Sequence, residues 1–450
     1  MQSAFRNLLR GTSQVSPAVN AEAVNGKVSC SLAHDLRDMP FFVWYDYFCC
    51  PQAEVNSVER QRAIDSIHHY VAMCEHFIVL CPALRHESGD MLNQRTWSLR
   101  GWCRAERVAR ELATVCGPII AVESETSLVL LTELESWKQA VGDGHFTVDE
   151  DRKKMAGIVL HLIYSKLLFY LQRQDLPNYR FMLNQQQLLL KNLEIHSLDL
   201  SIPGFSPGID PFLEPQAFLL ARFMHENGFR EISERDSSGL SPMCYAVMRG
   251  CPAIVSALLQ GRADVNERTK KALDQFLFPK NMTVLCLSAV FGNNDVLKLL
   301  LSERAHVNAR DSRFHTALHW ATACDNAEAV RLLLHAGTDH TLPMLFGLTP
   351  LHSACALGAV SAVKELLLLR PSQSLQHCLH YGLMVNAGEY RLVSALLKAD
   401  ADVNEQLDLW KARVFALWML FKAAGWRYRG AHASTRLYTR LRNNVLFSLT

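Results

Sequence analysis

The chain has 450 residues, of which 49% are hydrophobic and 20% charged. That composition excludes wholesale disorder and is enough for two to four domains at ~100–200 residues each. Its 46 Lys plus Arg against 44 Asp plus Glu leave a net charge of +2, which excludes a partner recognised through global charge; an anionic partner has to be sought locally.

Residues 1–35 open the chain. Arg6, Arg10 and several serines stand in a first stretch without an acid, and Phe5, Leu8 and Leu9 can share one helix face. The stretch resembles an organelle transit peptide only faintly, and a disordered leader is the expectation. Thirteen cysteines without a CxxC pair, including the adjacent Cys49 and Cys50, point to reduced thiols. A cytoplasmic setting follows, with the nucleus as the alternative. No uninterrupted apolar run reaches the ~20 residues of a membrane-spanning helix, since residues 158–171 are broken by His161 and Lys166, so a soluble protein is expected.

Residues 36–148 alternate apolar runs with helical stretches. VWYDYFCC (43–50), HFIVLCP (76–82) and GPIIAVES (117–124) read as buried strands, with a helix RAIDSIHHYVAMC (62–74) between the first two. The alternation predicts an α/β domain with a short parallel sheet. Ligands of such sheets sit beyond the carboxyl ends of the strands, which makes Asp46, Gln52 and Glu106 the polar candidates. The order Trp44-x-Asp46-x-x-Cys49-x-x-Gln52, then Glu59-Arg60, then Leu99-Arg100-Gly101-Trp102-Cys103-Arg104-Ala105-Glu106 resembles the heterokaryon-incompatibility (HET) domain. It is also similar to the Toll/interleukin-1 receptor (TIR) domain, which implies a flavodoxin-like fold. In the NAD-cleaving members of that family a Trp-Cys-x-x-Glu block carries the catalytic glutamate, so the resemblance implies Glu106 as catalytic residue, with Asp46, Gln52 and Trp102 at the substrate. NAD would then be a substrate, and no cofactor is expected. A carboxylate suits that chemistry because it can stabilise an oxocarbenium-like transition state. The family's opening strand and its glycine- and arginine-rich loop are missing here: only KVSCSLAH precedes Val43, and PQAEVNSVERQ replaces the loop. The plainer reading has Trp102 in the core and Glu106, Arg107, Arg110 and Glu111 on a solvated helix face. The favoured reading is non-catalytic, with self-association through this domain among its uses.

Residues 149–202 show apolar residues at helical spacing in two stretches, 151–171 and 181–193, joined at Pro177, and read as a helical connector. Prolines 203, 207, 211 and 215 then mark a linker over residues 203–215.

Self-similarity dominates residues 216–408. TALHWA at Thr316 recurs as TPLHSA at Thr349, 33 residues later; TVLCLSA begins at Thr283, 33 residues before Thr316, and SPMCYA at Ser241, 42 before that. Each block leads into an apolar helix such as AVRLLLHA and a turn such as Asp264-Val265-Asn266 or Asp402-Val403-Asn404. These features resemble the ankyrin-repeat family, which implies an all-α solenoid of stacked helix pairs, here six to seven units, that binds a protein partner on its concave face. Gly250, Gly292, Gly358 and Gly388 suit the turns between helices, and the third repeat has Asp325-Asn326 instead. The fifth unit has LHYGLM in place of the TPLH block, so an irregular first helix is expected there.

Nine extra residues lengthen the finger between the first two repeats, residues 268–282, and bring Phe276, Leu277 and Phe278 beside Lys270, Lys271 and Lys280. An apolar tip with a basic rim suits partner binding. Arg313, Phe314, Trp320 and Phe346 fall at positions that line the concave surface in the family resembled. His319 and His352 read as structural. His68, His69, His76 and His86 lack zinc spacing, and no metal is expected. Residues 409–450 read as a capping helix and tail with eight Lys or Arg and no acid, a feature that suits an anionic partner.

Overall fold

In a computed structural model of the chain, the described residues are 1–17, 42–45, 49–50, 57–89, 91–114, 117–131, 140–194, 204–273, 278–385 and 390–406. The chain divides into two compact units, with the break between Asp199 and Leu200, just ahead of the proline-marked stretch.

The first unit begins with helix α1 (Gln2–Arg10) and strand β1 (Val15–Pro17), where a disordered leader was expected. The helix ends at Gly11, whose φ of 74° closes the last turn. Ala4 and Leu8 are buried against Ile120, Val122 and Leu128, so of the apolar face noted in the sequence Leu8 packs on the sheet, while Phe5 and Leu9 are half-buried. Two short helices, α2 (Ser57–Asp65) and α3 (Ile67–Met73), precede strand β2 (Phe77–Leu80). A small hairpin, β3 (Leu84–Arg85) with β4 (Met91–Leu92), leads to α4 (Gln94–Ser98) and α5 (Gly101–Glu111). Strands β5 (Ile119–Val122) and β6 (Leu128–Leu131) complete a four-stranded sheet of order β1-β6-β5-β2.

This sheet is mixed, which corrects the parallel sheet expected. The outer pairs β1/β6 and β2/β5 are parallel, but β5 and β6 are antiparallel. The cause is local: the connection from Val122 to Leu128 is far too short for a crossover, so β6 has to fold back along β5. Residues 42–45, expected to begin a strand, carry none, and the rest of that expected strand reaches into residues 46–48, outside the described residues.

Helices α6 (Glu150–Gln172) and α7 (Leu176–Leu189) match the two helical stretches read from sequence, and Pro177 starts the second. They are not a connector. Met155, Val159, Ile163 and Leu167 of α6 share one core with Val71 of α3 and Ala105, Val108 and Ala109 of α5. Among the described residues α6 is also the one helix long and apolar enough in composition to cross a membrane, because its length admits His161 and Lys166 without losing its apolar character. Lys166 is buried with Nζ 2.5 Å from the carbonyl of Ala113 and over the rings of Phe169 and Tyr170, so α6 serves as a core helix of this unit.

The second unit is helical. After α8 (Pro215–Asn227) come the pairs α9 (Pro242–Arg249) and α10 (Pro252–Gln260), α11 (Val284–Val290) and α12 (Asn294–Ser302), α13 (Ala317–Ala323) and α14 (Ala327–His335), α15 (Pro350–Leu357) and α16 (Val360–Leu369), and α17 (Cys378–Val385) and α18 (Tyr390–Lys398). Ser241, Thr283 and Thr349 accept the backbone N–H of the third helical residue, the capping role their position in each block implies. Gly250, Gly292 and Gly358 turn between helices with φ of 75°, 70° and 66°; Gly388 lies outside the described residues. Asp325 takes the same conformation at φ 53° and its Oδ1 accepts the N–H of Ala362 in the next repeat, 2.8 Å away. The fifth repeat's first helix is continuous over Cys378–Val385, so the irregularity expected there is absent: Cys378, Leu379 and Tyr381 bury the face that the TPLH block buries elsewhere.

Candidate functional site

The fingers between helix pairs are built on a repeated device. Asp236 Oδ1 accepts the N–H groups of Ser238 and Leu240, and its Oδ2 accepts the Tyr245 hydroxyl at 2.6 Å. Asp311 does the same two fingers on: Oδ1 takes the N–H groups of Arg313 and His315, and Oδ2 takes Trp320 Nε1 at 3.1 Å. Each carboxylate, half-buried at Asp236 and buried at Asp311, thus ties a finger tip to an aromatic on the following first helix. Fingers are joined in turn by Arg268, which donates to the carbonyl of Arg310 at 2.8 Å, and by Ser312 N–H to the carbonyl of Lys280 at 3.1 Å.

On this frame Phe314 stands out. It is 48% exposed, holds φ at 64°, and has the Arg310 guanidinium 6.0 Å from its ring centroid. Trp320, half-buried, lies tilted beside His315 with centroids 5.0 Å apart. Arg313 is half-buried, and its carbonyl accepts the N–H of Leu345, placing the short 3-10 turn Leu345–Gly347, which contains Phe346, beside the Phe314 finger. Exposed Lys280 and half-buried Arg310 give the surface a basic edge.

The lengthened finger differs from its expectation. Leu273 and Phe278 pair as an antiparallel bridge, and Thr269 exchanges backbone bonds with Asn281 and Met282, so its base is a hairpin. Phe278 is 2% exposed, edge-on to Phe291 and to Trp320, and is a core residue of the array, not a contact residue. Phe276 and Leu277 lie outside the described residues, as does the basic stretch 409–450.

His319 is buried. Its Nε2 donates to the carbonyl of Leu348 at 3.2 Å, which leaves Nδ1 to accept from Thr316, whose N–H and hydroxyl lie 3.2 and 2.9 Å away. Burial, helped by His315, pushes its pKa down to about 3. His352 repeats the arrangement with Thr349 and the carbonyl of Gln376, so both histidines hold successive turns together, as expected.

In the first unit, Trp102 Nε1 donates to Asp151 Oδ2 at 2.8 Å, and Glu106 is half-buried. Glu106 borders a cavity of about 10 Å³ with Ile67, His68, Trp102 and Met155. That is the room one water needs, and a ribose does not fit. Asp46 and Gln52 fall outside the described residues. The solvated face expected on α5 is also corrected. Arg107 and Arg110 are buried; Arg107 pairs with Glu111 at 3.6 Å, and Arg110 donates to the carbonyl of Glu75 at 2.9 Å. Arg104, buried too, donates to the carbonyls of Ser98 and Ala140 at 2.7 and 2.8 Å. The glycine of the Trp-Cys block has a packing reason: a Cβ on Gly101 would meet the Phe146 ring at 2.2 Å, and a Cβ on Gly144 would meet Gly101 Cα at 2.5 Å.

One group of possible metal ligands was missed in the sequence. His377, His380 and Glu405 bring their ligand atoms within 4.8 Å of one another. The signal was the His-x-x-His spacing at the start of α17, which the repeat comparison had set aside as a damaged TPLH block.

Comparison with known proteins agrees with the repeat geometry. An ankyrin-repeat family model matches residues 238–270, and a model of three ankyrin repeats matches residues 268–344. The chain is similar to transient receptor potential cation channel subfamily A member 1 of Homo sapiens, 27% identical over 192 residues, covering 42% of this chain and 16% of that protein. It is similar also to inversin of Homo sapiens, 27% identical over 32% of this chain and 16% of that protein, and to NF-kappa-B inhibitor alpha of Sus scrofa, 31% identical over 25% and 38% respectively. Each match thus covers well under half of the relative's length. The carboxyl-terminal region carries ankyrin repeats, and these support a role in protein–protein interaction.

Proposed function

We propose that the protein is an adaptor that binds another protein along its finger tips and first helices, through Phe314, Trp320 and the basic edge formed by Lys280 and Arg310. The observation that carries the reading is Phe314, a large aromatic held out of the core on a finger whose base is fixed by Asp311. A preset tip loses little ordering entropy on docking, and its ring with adjoining cations suits a partner segment that pairs apolar side chains with carboxylates. The amino-terminal unit is, on this reading, a non-catalytic domain in the likeness of HET and TIR domains, which also serves self-association. The small cavity at Glu106 gives NAD cleavage no support. The free thiols support a cytoplasmic setting, and the eight cations of residues 409–450 support an anionic partner there.

A photo-crosslinking residue placed at Phe314 in cells tests the surface, with the exposed Glu303 beyond α12 as control position. A discrete adduct from position 314 and none from 303 is expected. Equal adducts from both, or none from 314, would contradict the reading.

A further inference from the structure

We infer that His377, His380 and Glu405 form a binding site for a divalent transition-metal ion of the zinc or cobalt class at the carboxyl-terminal end of the described repeats. The site is brought together by the repeat geometry. His377 immediately precedes α17, His380 lies in its first turn, and Glu405 ends the turn that follows α18. His377 Nδ1 lies 2.9 Å from one carboxylate oxygen of Glu405, and His380 Nδ1 3.5 Å from the other.

Two features separate this group from an ordinary ion pair. Both Nδ1 atoms are buried and their only close partner is the Glu405 carboxylate, approached at an angle poor for a ring N–H bond. His377 is moreover held at φ 65°, a conformation that a non-glycine residue adopts at a cost in energy. Glu405 is positioned independently of the rings: its two oxygens accept the backbone N–H of His377 at 3.0 and 2.9 Å. The carboxylate therefore stays in place whether or not an ion is bound.

Two imidazoles and one carboxylate suit zinc, cobalt or nickel better than calcium or magnesium, which prefer oxygen ligands. Ligand atoms around a tetrahedral zinc, at about 2.0–2.1 Å from the metal, stand about 3.3 Å apart, so a group whose ligand atoms lie within 4.8 Å of one another has to close by up to about 1.5 Å. Three protein ligands leave one position for water or for a group from a partner. An ion here would tie the finger before α17 to the turn after α18, and so brace the end of a solenoid whose units have no stability alone.

The test is cobalt and zinc binding by the full chain, with His380→Ala and Glu405→Gln alongside. Glu405→Gln keeps a carbonyl acceptor for the His377 N–H, and far-UV circular dichroism reports whether each variant folds. One ion more per chain is expected for wild type than for either folded variant, with a cobalt spectrum of nitrogen and oxygen ligation and a rise in Tm that both variants lack. Equal stoichiometry in wild type and variants would overturn the inference. So would no binding by folded wild type, or a thiolate charge-transfer band, which would assign the ion to cysteine. Should one variant fail to fold, the other decides.

Discussion

Phe278 packs edge-on against Trp320, with ring centroids 5.8 Å apart, and so joins the base of the lengthened finger to the first helix of the following repeat. The insertion therefore contributes a core residue to the array. Truncating it as Phe278→Ala is expected to cost about 3–5 kcal/mol. Urea denaturation followed by tryptophan fluorescence checks this. A change below about 1 kcal/mol would mean that the ring is not part of the core.

His319 sets a pH dependence. Its folded pKa, about 3, lies below the ordinary 6.5, so the unfolded chain binds the proton first. The contribution is complete above pH ~6.5 and is lost as pH falls toward about 3, with a slope of up to ~1.4 kcal/mol per pH unit. Stability curves at several pH values in that window should be steeper for wild type than for His319→Gln.

Arg104 is expected to be a stability residue of the first unit. Arg104→Ala removes two hydrogen bonds and leaves the carbonyls of Ser98 and Ala140 without that donor, a loss of about 2–5 kcal/mol. Arg104→Lys should recover only part of it, since an ammonium lacks the fork geometry. Chemical denaturation of the full chain, with hydrogen exchange to localise the loss, is the measurement.

Incubation of the full chain with NAD should release no nicotinamide above the level given by Glu106→Ala. Turnover abolished by that substitution would establish catalysis and would require the Glu106 cavity to open.

Much of the second unit was legible in the sequence because its period is a packing constraint. The 33-residue spacing gave the capping Thr283, Thr316 and Thr349 their places, and it puts Phe278 at the position that Asp311, buried in the structure, takes one repeat on. Local apolar character around Phe278 pointed the other way. Strand β1 was hidden by its three-residue length, and β6, LVLL, by a leucine-rich run that suits a helix as well as a strand, so the mixed sheet could not be read. Arg107 and Arg110 read as solvated because their acceptors, a glutamate one turn on and a carbonyl 35 residues back, come into place only on folding. The His377, His380 and Glu405 group was masked by the repeat comparison itself, which treats LHYGLM as a degraded version of its neighbours.

The central claim, that the finger surface binds a protein, is tested most directly by quantitative affinity capture. The full chain is compared with Arg310→Glu combined with Phe314→Asp, both exchanged at side chains outside the core. The account predicts proteins enriched on wild type and lost on the equally stable double variant, with direct binding of at least one confirmed using purified components. An unchanged set of captured proteins would contradict it.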